Sequence, residues 1–192
     1  MKTSSTMSKR KTARYRISNV SLFVNGLIFI LYAALVPTYV RAVHWLITLA
    51  AALFIAALPA IHDSLRSLKS AVERVLAILF GLGMVAIILA DVLFALSLLN
   101  ALSRDMTYAI GNALLLLYVL TVAVAALKGI FRRWLGYLSL LAGITGFSTY
   151  PLTPATLLPK FALLLLGAWS LALGFNLPKA KKRVRRTSPR RS

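Results

Sequence analysis

Asp91 lies inside the apolar stretch VAIILADVLFAL, residues 85–96. A charged carboxylate that faces lipid costs about 2–3 kcal/mol or more, so such a residue is expected to face the interior of a helix bundle and to have a partner there. Tyr108 and Asn112 lie one helical turn apart in the next apolar block, and a hairpin turning near Ser103 brings them close to the depth of Asp91. We therefore predict that Asp91 faces Tyr108 and Asn112.

Glu73 precedes Asp91 by five full helical turns, so the two carboxyl groups are predicted to share one face of one helix. One interpretation is a proton or cation site, in which Asp91 binds and releases a proton and Glu73 lies at the mouth. The other is structural: Asp91 locks the hairpin by a hydrogen bond, and Glu73 pairs with Arg66, Lys69 or Arg74. The pattern favours the structural interpretation, because no second charged group accompanies Asp91 within its apolar block.

The first apolar block carries a line of polar residues on one helical face. They recur at intervals of three, four or seven residues: Ser18, Ser21, Asn25, Tyr32 and Tyr39. Such a face is expected to turn toward protein rather than lipid. It either lines a polar cavity or bonds one helix to another, and the second role is the more common one.

Catalytic and metal chemistry find little support in the sequence. His62 and Asp63 form the one adjacent pair that suggests such chemistry, but a metal site gathers three or four ligands, and a solvated loop is the favoured interpretation. The absence of cysteine excludes disulfides and thiolate sites. No phosphate-binding or dinucleotide-binding motif is present. We therefore predict no enzyme activity, no metal site and no cofactor.

The elements that must position these side chains follow from hydropathy. Of the 192 residues 59% are hydrophobic and only four are acidic, and the apolar residues form six long blocks. Lipid cannot satisfy backbone polar groups, so such blocks must be helices. The sequence predicts an all-α integral membrane protein, a six-transmembrane-helix bundle in residues 17–177, between basic tails 1–16 and 178–192 predicted to be disordered. The six spans are predicted at about 18–38, 43–61, 75–98, 107–127, 134–150 and 160–177.

The basic residues predict the orientation. With both termini in the cytoplasm, only Arg41, Arg104 and Lys160 of the 23 basic residues lie outside, as the positive-inside rule requires in a cell membrane. The tails are expected to contact anionic lipid head groups, and specific nucleic-acid binding is not expected, because no aromatic residues or folded module accompany the charge. The lipid-contacting residues proposed in the C-terminal tail are Lys179, Lys181, Lys182, Arg183, Arg185 and Arg186.

Small residues form a seam on each of the last two helices, and such seams let membrane helices approach closely. The first seam comprises Gly136, Ser139, Gly143 and Gly146, and the second comprises Gly167, Ser170 and Gly174. We predict that the two seams pack on each other within one chain, although the same motif also serves homodimers.

The segments FRRWLGYLSLLAGITG and FALLLLGAWSLALGF, joined by a proline-bearing loop, resemble the end of an uncharacterised group of six-helix membrane proteins. The resemblance covers about residues 131–175, with Arg132 and Arg133 where that group often has Pro-Arg. It implies a shared six-span architecture and carries no established activity.

Two classes of function remain open. The favoured one is a non-enzymatic structural or accessory protein, in which the intramembrane polar residues specify packing among helices or with a membrane-protein partner. The alternative is a small transporter or channel-like protein, expected to be a homo-oligomer, that uses Asp91 as a proton or cation site.

Overall fold

The computed structural model describes residues 3–35, 40–65, 71–148 and 157–177, with side chains for 12–35, 45–65, 71–148 and 159–177. Within these ranges the chain is all-helical and contains no strand, which confirms the predicted class. The six helices are α1 (Thr3–Leu35), α2 (Val40–Leu65), α3 (Ala71–Ala95), α4 (Ala101–Leu127), α5 (Arg133–Ser148) and α6 (Leu157–Asn176).

The start of α1 differs from the prediction. The helix begins at Thr3, within the segment that composition predicted to be disordered. Residues 3–25 contain neither glycine nor proline and include five Lys and Arg residues, which favour helix. Arg14 also pairs with Asp63 of α2, at 3.2 Å between Nη1 and Oδ2, and Tyr15 is buried. Basic composition alone was therefore a poor guide to where this helix starts.

Five of the helices are long and apolar enough to cross a membrane: α1 from Thr12, α2 from Trp45, α3, α4, and α6 from Pro159. The shorter α5 has 16 residues. It extends about 24 Å, less than the roughly 30 Å of a hydrocarbon core. The chain therefore has the features of a multi-pass membrane protein.

The helices form a closed ring, because each packs against its neighbours in chain order and α6 packs against α1. An aromatic layer fills the interior, formed by Phe29, Phe54, Phe80, Tyr118 and Trp169, all buried. The ring centroid of Phe54 lies 6.0 Å from Phe29, 5.6 Å from Phe80 and 6.2 Å from Trp169. Tyr118 stacks on Phe80 at 4.7 Å.

The last helix joins this core through a hydrogen bond. The indole Nε1 of Trp169 donates to the hydroxyl of Ser139 in α5, at 2.8 Å, and that hydroxyl donates to the carbonyl of Leu135. All six helices thus contribute to one interior.

The small-residue seams pack within the chain, but not on each other as predicted. The α5 seam lies against α4: a methyl group added at Gly136, Gly143 or Gly146 would come within 3.0 Å or less of the side chains of Ala126, Leu120 and Leu116 respectively. A small-residue seam marks a face that admits close approach, but any neighbouring helix of suitable shape can occupy it.

The α6 seam lies against α1. A Cβ at Gly26 would lie 2.8 Å from the carbonyl oxygen of Gly167, and a Cβ at Gly167 would lie 2.9 Å from the carbonyl oxygen of Gly26. Ser170 also donates a hydrogen bond to the carbonyl of Leu22, at 3.0 Å. This contact closes the ring between the first and last helices.

Candidate functional site

Asp91 lies on the buried face of α3 and joins three helices. Its Oδ2 accepts hydrogen bonds from the hydroxyl of Thr48 in α2 and from the hydroxyl of Tyr108 in α4. The Asp91 residue is only 6% exposed. We call Thr48, Asp91 and Tyr108 the Asp91 cluster. Both of its donors are hydroxyl groups, so the carboxyl group has no basic side chain as a hydrogen-bond donor among the described residues.

The turn between α3 and α4 positions Tyr108. Asn100 caps α4, because its side-chain oxygen accepts from the backbone N–H of Ser103 at 2.8 Å. The Arg104 guanidinium lies 4.1 Å from the centroid of the Phe94 ring and bonds to Asp105 at 3.1 Å. These contacts tie the first turn of α4 to the end of α3.

Asn112, predicted beside Tyr108, takes a different position. Its side chain is exposed. Four residues advance a helix by about 400°, so Asn112 is rotated about 40° from Tyr108. In place of Asn112, the second hydrogen bond to Asp91 comes from Thr48, which the sequence analysis missed. Thr48 is the one hydroxyl-bearing residue in the second apolar block. This is the sequence feature that could have identified it as a hydrogen-bond partner.

Glu73 is 3% exposed near the start of α3, and its Oε1 lies 2.9 Å from Nδ1 of His62. We call this pair the Glu73 cluster. His62 lies in the last turn of α2 rather than in the expected solvated loop, because α2 continues to Leu65. Of the basic partners that were predicted for Glu73, Arg74 is exposed, and the other two, Arg66 and Lys69, lie outside the described residues.

Three further residues have buried side-chain polar atoms with no hydrogen-bond partner among the described residues: the hydroxyl of Tyr118, the amide of Asn25 and the Oδ1 of Asn19. Ser18 donates to the carbonyl of Ala56 at 3.4 Å, and this register places Asn25, two turns along α1, near the level of Thr48. Asn25 therefore lies close in depth to the Asp91 cluster.

The buried face of α3 between the two carboxyl groups is apolar. Its residues are Ala77, Phe80, Gly83, Met84, Ile87 and Ala90. The separation of five turns corresponds to about 27 Å along the helix. The aromatic layer lies within this interval, with Phe54 and Phe80 at most 1% exposed. Asp91 and Glu73 share a face, but no polar side chain of α3 connects them.

Among the described residues, no group of three or more histidine, aspartate or glutamate side chains comes together as metal ligands. The six lipid-contacting residues proposed in the C-terminal tail lie outside the described residues. The fold and the two clusters define an all-helical, multi-pass membrane protein with two buried carboxyl groups. Comparisons with protein-family models, with curated proteins and with solved structures give no match.

Proposed function

We propose that this protein is a non-enzymatic structural or accessory protein of the cell membrane, whose intramembrane polar side chains specify how its helices pack. The observation that carries the proposal is the Asp91 cluster, in which one carboxyl oxygen accepts hydrogen bonds from α2 and from α4. Hydrogen bonds of this kind between membrane helices contribute about 0.6 kcal/mol on average and up to about 2 kcal/mol.

The interior between the two clusters supports the same role. A transport site must exchange its ion with water on both sides, and Asp91 is separated from Glu73 by the buried aromatic layer. Phe54 contacts both Phe80 and Trp169 at the centre of the ring of helices. A packed aromatic core of this kind favours a structural protein with a single conformation.

The proposed topology has six spans with both termini in the cytoplasm and the basic tails on anionic lipid. Five helices are long enough to cross the membrane, and α5, packed between α4 and α6, would be the shortest span. A short span is accommodated by local thinning of the bilayer at modest cost. The three basic residues left outside in this arrangement are Arg41, Arg104 and Lys160.

The test is an ion-flux assay on the purified full chain in liposomes under an imposed proton or potassium gradient. We compare the wild type with Asp91→Asn, which keeps the size and an acceptor oxygen but cannot release a proton, and with Glu73→Gln as the matched change at the other carboxyl group. We expect all three to leak no faster than protein-free liposomes. Flux in the wild type that disappears in an equally folded Asp91→Asn variant would contradict the structural role.

The second candidate is a transporter or channel-like protein, and Asn25 is the observation in its favour. A fully buried amide with neither atom hydrogen-bonded, close in depth to Asp91, is suited to bind a small polar solute or water. If this function is correct, Asn25→Leu should abolish the flux as Asp91→Asn does. A flux that survives Asn25→Leu would exclude Asn25 from the pathway.

A further inference from the structure

The turn between α4 and α5 carries three closely spaced basic residues: Lys128, Arg132 and Arg133. All three side chains are exposed, and none forms an ion pair with a described acidic side chain. By contrast, the guanidinium groups of Arg14 and Arg104 each bond to an aspartate. The turn therefore presents three positive charges that the described part of the chain does not neutralise.

Backbone hydrogen bonds fix the position of this turn. Gly129 ends α4 with a φ of 80°, and its N–H donates to the carbonyl of Ala126 at 2.9 Å. The N–H of Ile130 donates to the carbonyl of Ala125 at 3.0 Å, which completes a Schellman motif. Phe131, the next residue, is buried in the core. The three charges are therefore held close together on an ordered turn.

From this turn, α5 runs antiparallel to the apolar part of α4. Gly136 lies against Ala126, and Gly146 lies against Leu116. The apolar helix α4 is long enough to cross a membrane and ends at Leu127. The turn therefore lies at one surface of the bilayer, and α5 extends from it into the hydrocarbon.

The exposed face of α5 changes from amphipathic to aliphatic along the helix. Its exposed residues recur at intervals of three or four and so lie on one face: Trp134, Tyr137, Leu141 and Ile144. We call them the α5 stripe. Tryptophan and tyrosine favour the head-group level of a membrane, and leucine and isoleucine favour its hydrocarbon. Basic, amphipathic and aliphatic side chains thus follow one another in the order of the parts of a phospholipid.

We propose that the α4–α5 turn and the α5 stripe form a binding site for one anionic phospholipid. Arg132, Arg133 and Lys128 contact its phosphate, to which guanidinium and ammonium groups donate charge-assisted hydrogen bonds. The aromatic side chains of the stripe lie at the level of the glycerol ester groups, and the aliphatic ones pack along an acyl chain. The positive charges of the turn disfavour the choline group of a zwitterionic lipid. This site is separate from the two terminal tails.

The test measures tryptophan fluorescence of the full chain in phosphatidylcholine vesicles that contain a fixed fraction of brominated lipid. Bromine on an acyl chain quenches a tryptophan that the lipid contacts. Trp169 is buried and Trp45 is exposed, so Trp45→Phe leaves Trp134 as the tryptophan that lipid reaches. Trp134→Phe in the same background gives the residual signal to subtract. Quenching by brominated phosphatidylglycerol is compared with quenching by brominated phosphatidylcholine.

We expect phosphatidylglycerol to bind beside Trp134 more tightly than phosphatidylcholine, by more than about tenfold, because each basic side chain near the surface contributes about fivefold. Arg133→Gln should lower this preference about fivefold, and replacing Lys128, Arg132 and Arg133 together with glutamine should abolish it. Arg74→Gln is the matched control. It removes an exposed arginine near the start of α3 and should leave the preference unchanged.

Three results would overturn the proposal: equal quenching by the two lipids, quenching by neither, or a preference that survives the triple substitution. Loss of the preference in excess inorganic phosphate, beyond the effect of sodium chloride at the same ionic strength, would assign the site to free phosphate and contradict a lipid site.

Folding and lipid binding can be separated in these variants. The three basic side chains are exposed and have no ion pair among the described residues, so the triple variant should unfold like the wild type. The lipid site requires α5 to lie in the bilayer, but it does not require the accessory role. The ion-flux assay therefore tests the proposed function, and the quenching assay tests the lipid site independently.

Discussion

The two buried carboxyl groups of α3 have similar exposure but different surroundings. At Asp91, one oxygen accepts from Thr48 and Tyr108, which belong to two other helices. At Glu73, the partner is His62, whose side chain is 32% exposed. The Asp91 cluster therefore ties three helices together inside the apolar region, whereas the Glu73 cluster joins two helices at an edge that solvent reaches.

This difference sets what happens when each carboxyl group is lost. Removing the carboxyl group of Asp91 takes the shared acceptor from the hydroxyl groups of Thr48 and Tyr108. Losing a hydrogen-bond partner in such surroundings costs about 1–3 kcal/mol. Removing Glu73 leaves an imidazole that can turn to solvent. The comparison thus predicts that loss of the Asp91 carboxyl group destabilises the fold more than loss of the Glu73 carboxyl group, although the two residues are chemically similar.

Phe80→Ala should have the largest effect, because it breaks the aromatic layer that separates the two clusters. Phe80 contacts Phe54 and stacks on Tyr118, so truncation of its side chain leaves a cavity at the centre of the ring of helices. We expect a loss of about 3 kcal/mol in the free energy of unfolding, the lower end of the range for buried phenylalanine, because lipid also solvates the separated helices. Equilibrium unfolding in mixed micelles with SDS measures it. Leu82→Ala, on the exposed side of α3, is the control and should change little.

Asp91→Ala should lower the free energy of unfolding by about 2 kcal/mol, because the hydroxyls of Thr48 and Tyr108 lose their shared acceptor. Asp91→Asn retains an acceptor oxygen and should lose less than about 1 kcal/mol. The same unfolding measurement applies to both variants. Equal losses of unfolding free energy in Asp91→Ala and Asp91→Asn would mean that the hydrogen bonds from α2 and α4 do not stabilise the fold.

Glu73→Ala should cost less than Asp91→Ala, about 1 kcal/mol, because His62 can be solvated once its partner is gone. A double-mutant cycle with His62→Ala measures the interaction directly, and we expect a coupling free energy of about 0.5–1 kcal/mol. If Glu73→Ala lowers the free energy of unfolding more than Asp91→Ala does, the predicted difference between the two carboxyl groups is wrong.

Hydropathy predicted the helical class and the approximate helix positions, because lipid restricts each apolar block to helix. The partners of particular side chains were harder to predict. The hairpin argument pointed to Tyr108, which is close to Asp91 in sequence, but Thr48 lies in another helix, and its position depends on how α2 packs beside α3. The seam of α6 likewise packs on α1, because closure of the ring involves helices at opposite ends of the chain. Contacts of this kind depend on shape across helices rather than on periodicity within one.

The smallest expected effects come from the same substitution at two tyrosines of α4, one in the Asp91 cluster and one in the aromatic layer. Tyr108→Phe removes a hydroxyl that donates to Asp91, whereas Tyr118→Phe removes a buried hydroxyl with no hydrogen-bond partner among the described residues. The first change should lower the free energy of unfolding by about 1 kcal/mol. The second should leave it unchanged or raise it slightly, because the folded state no longer buries an unsatisfied polar group. The sign of the change in the free energy of unfolding therefore distinguishes a hydroxyl used in packing from one that is not. A larger loss in Tyr118→Phe than in Tyr108→Phe would contradict this distinction.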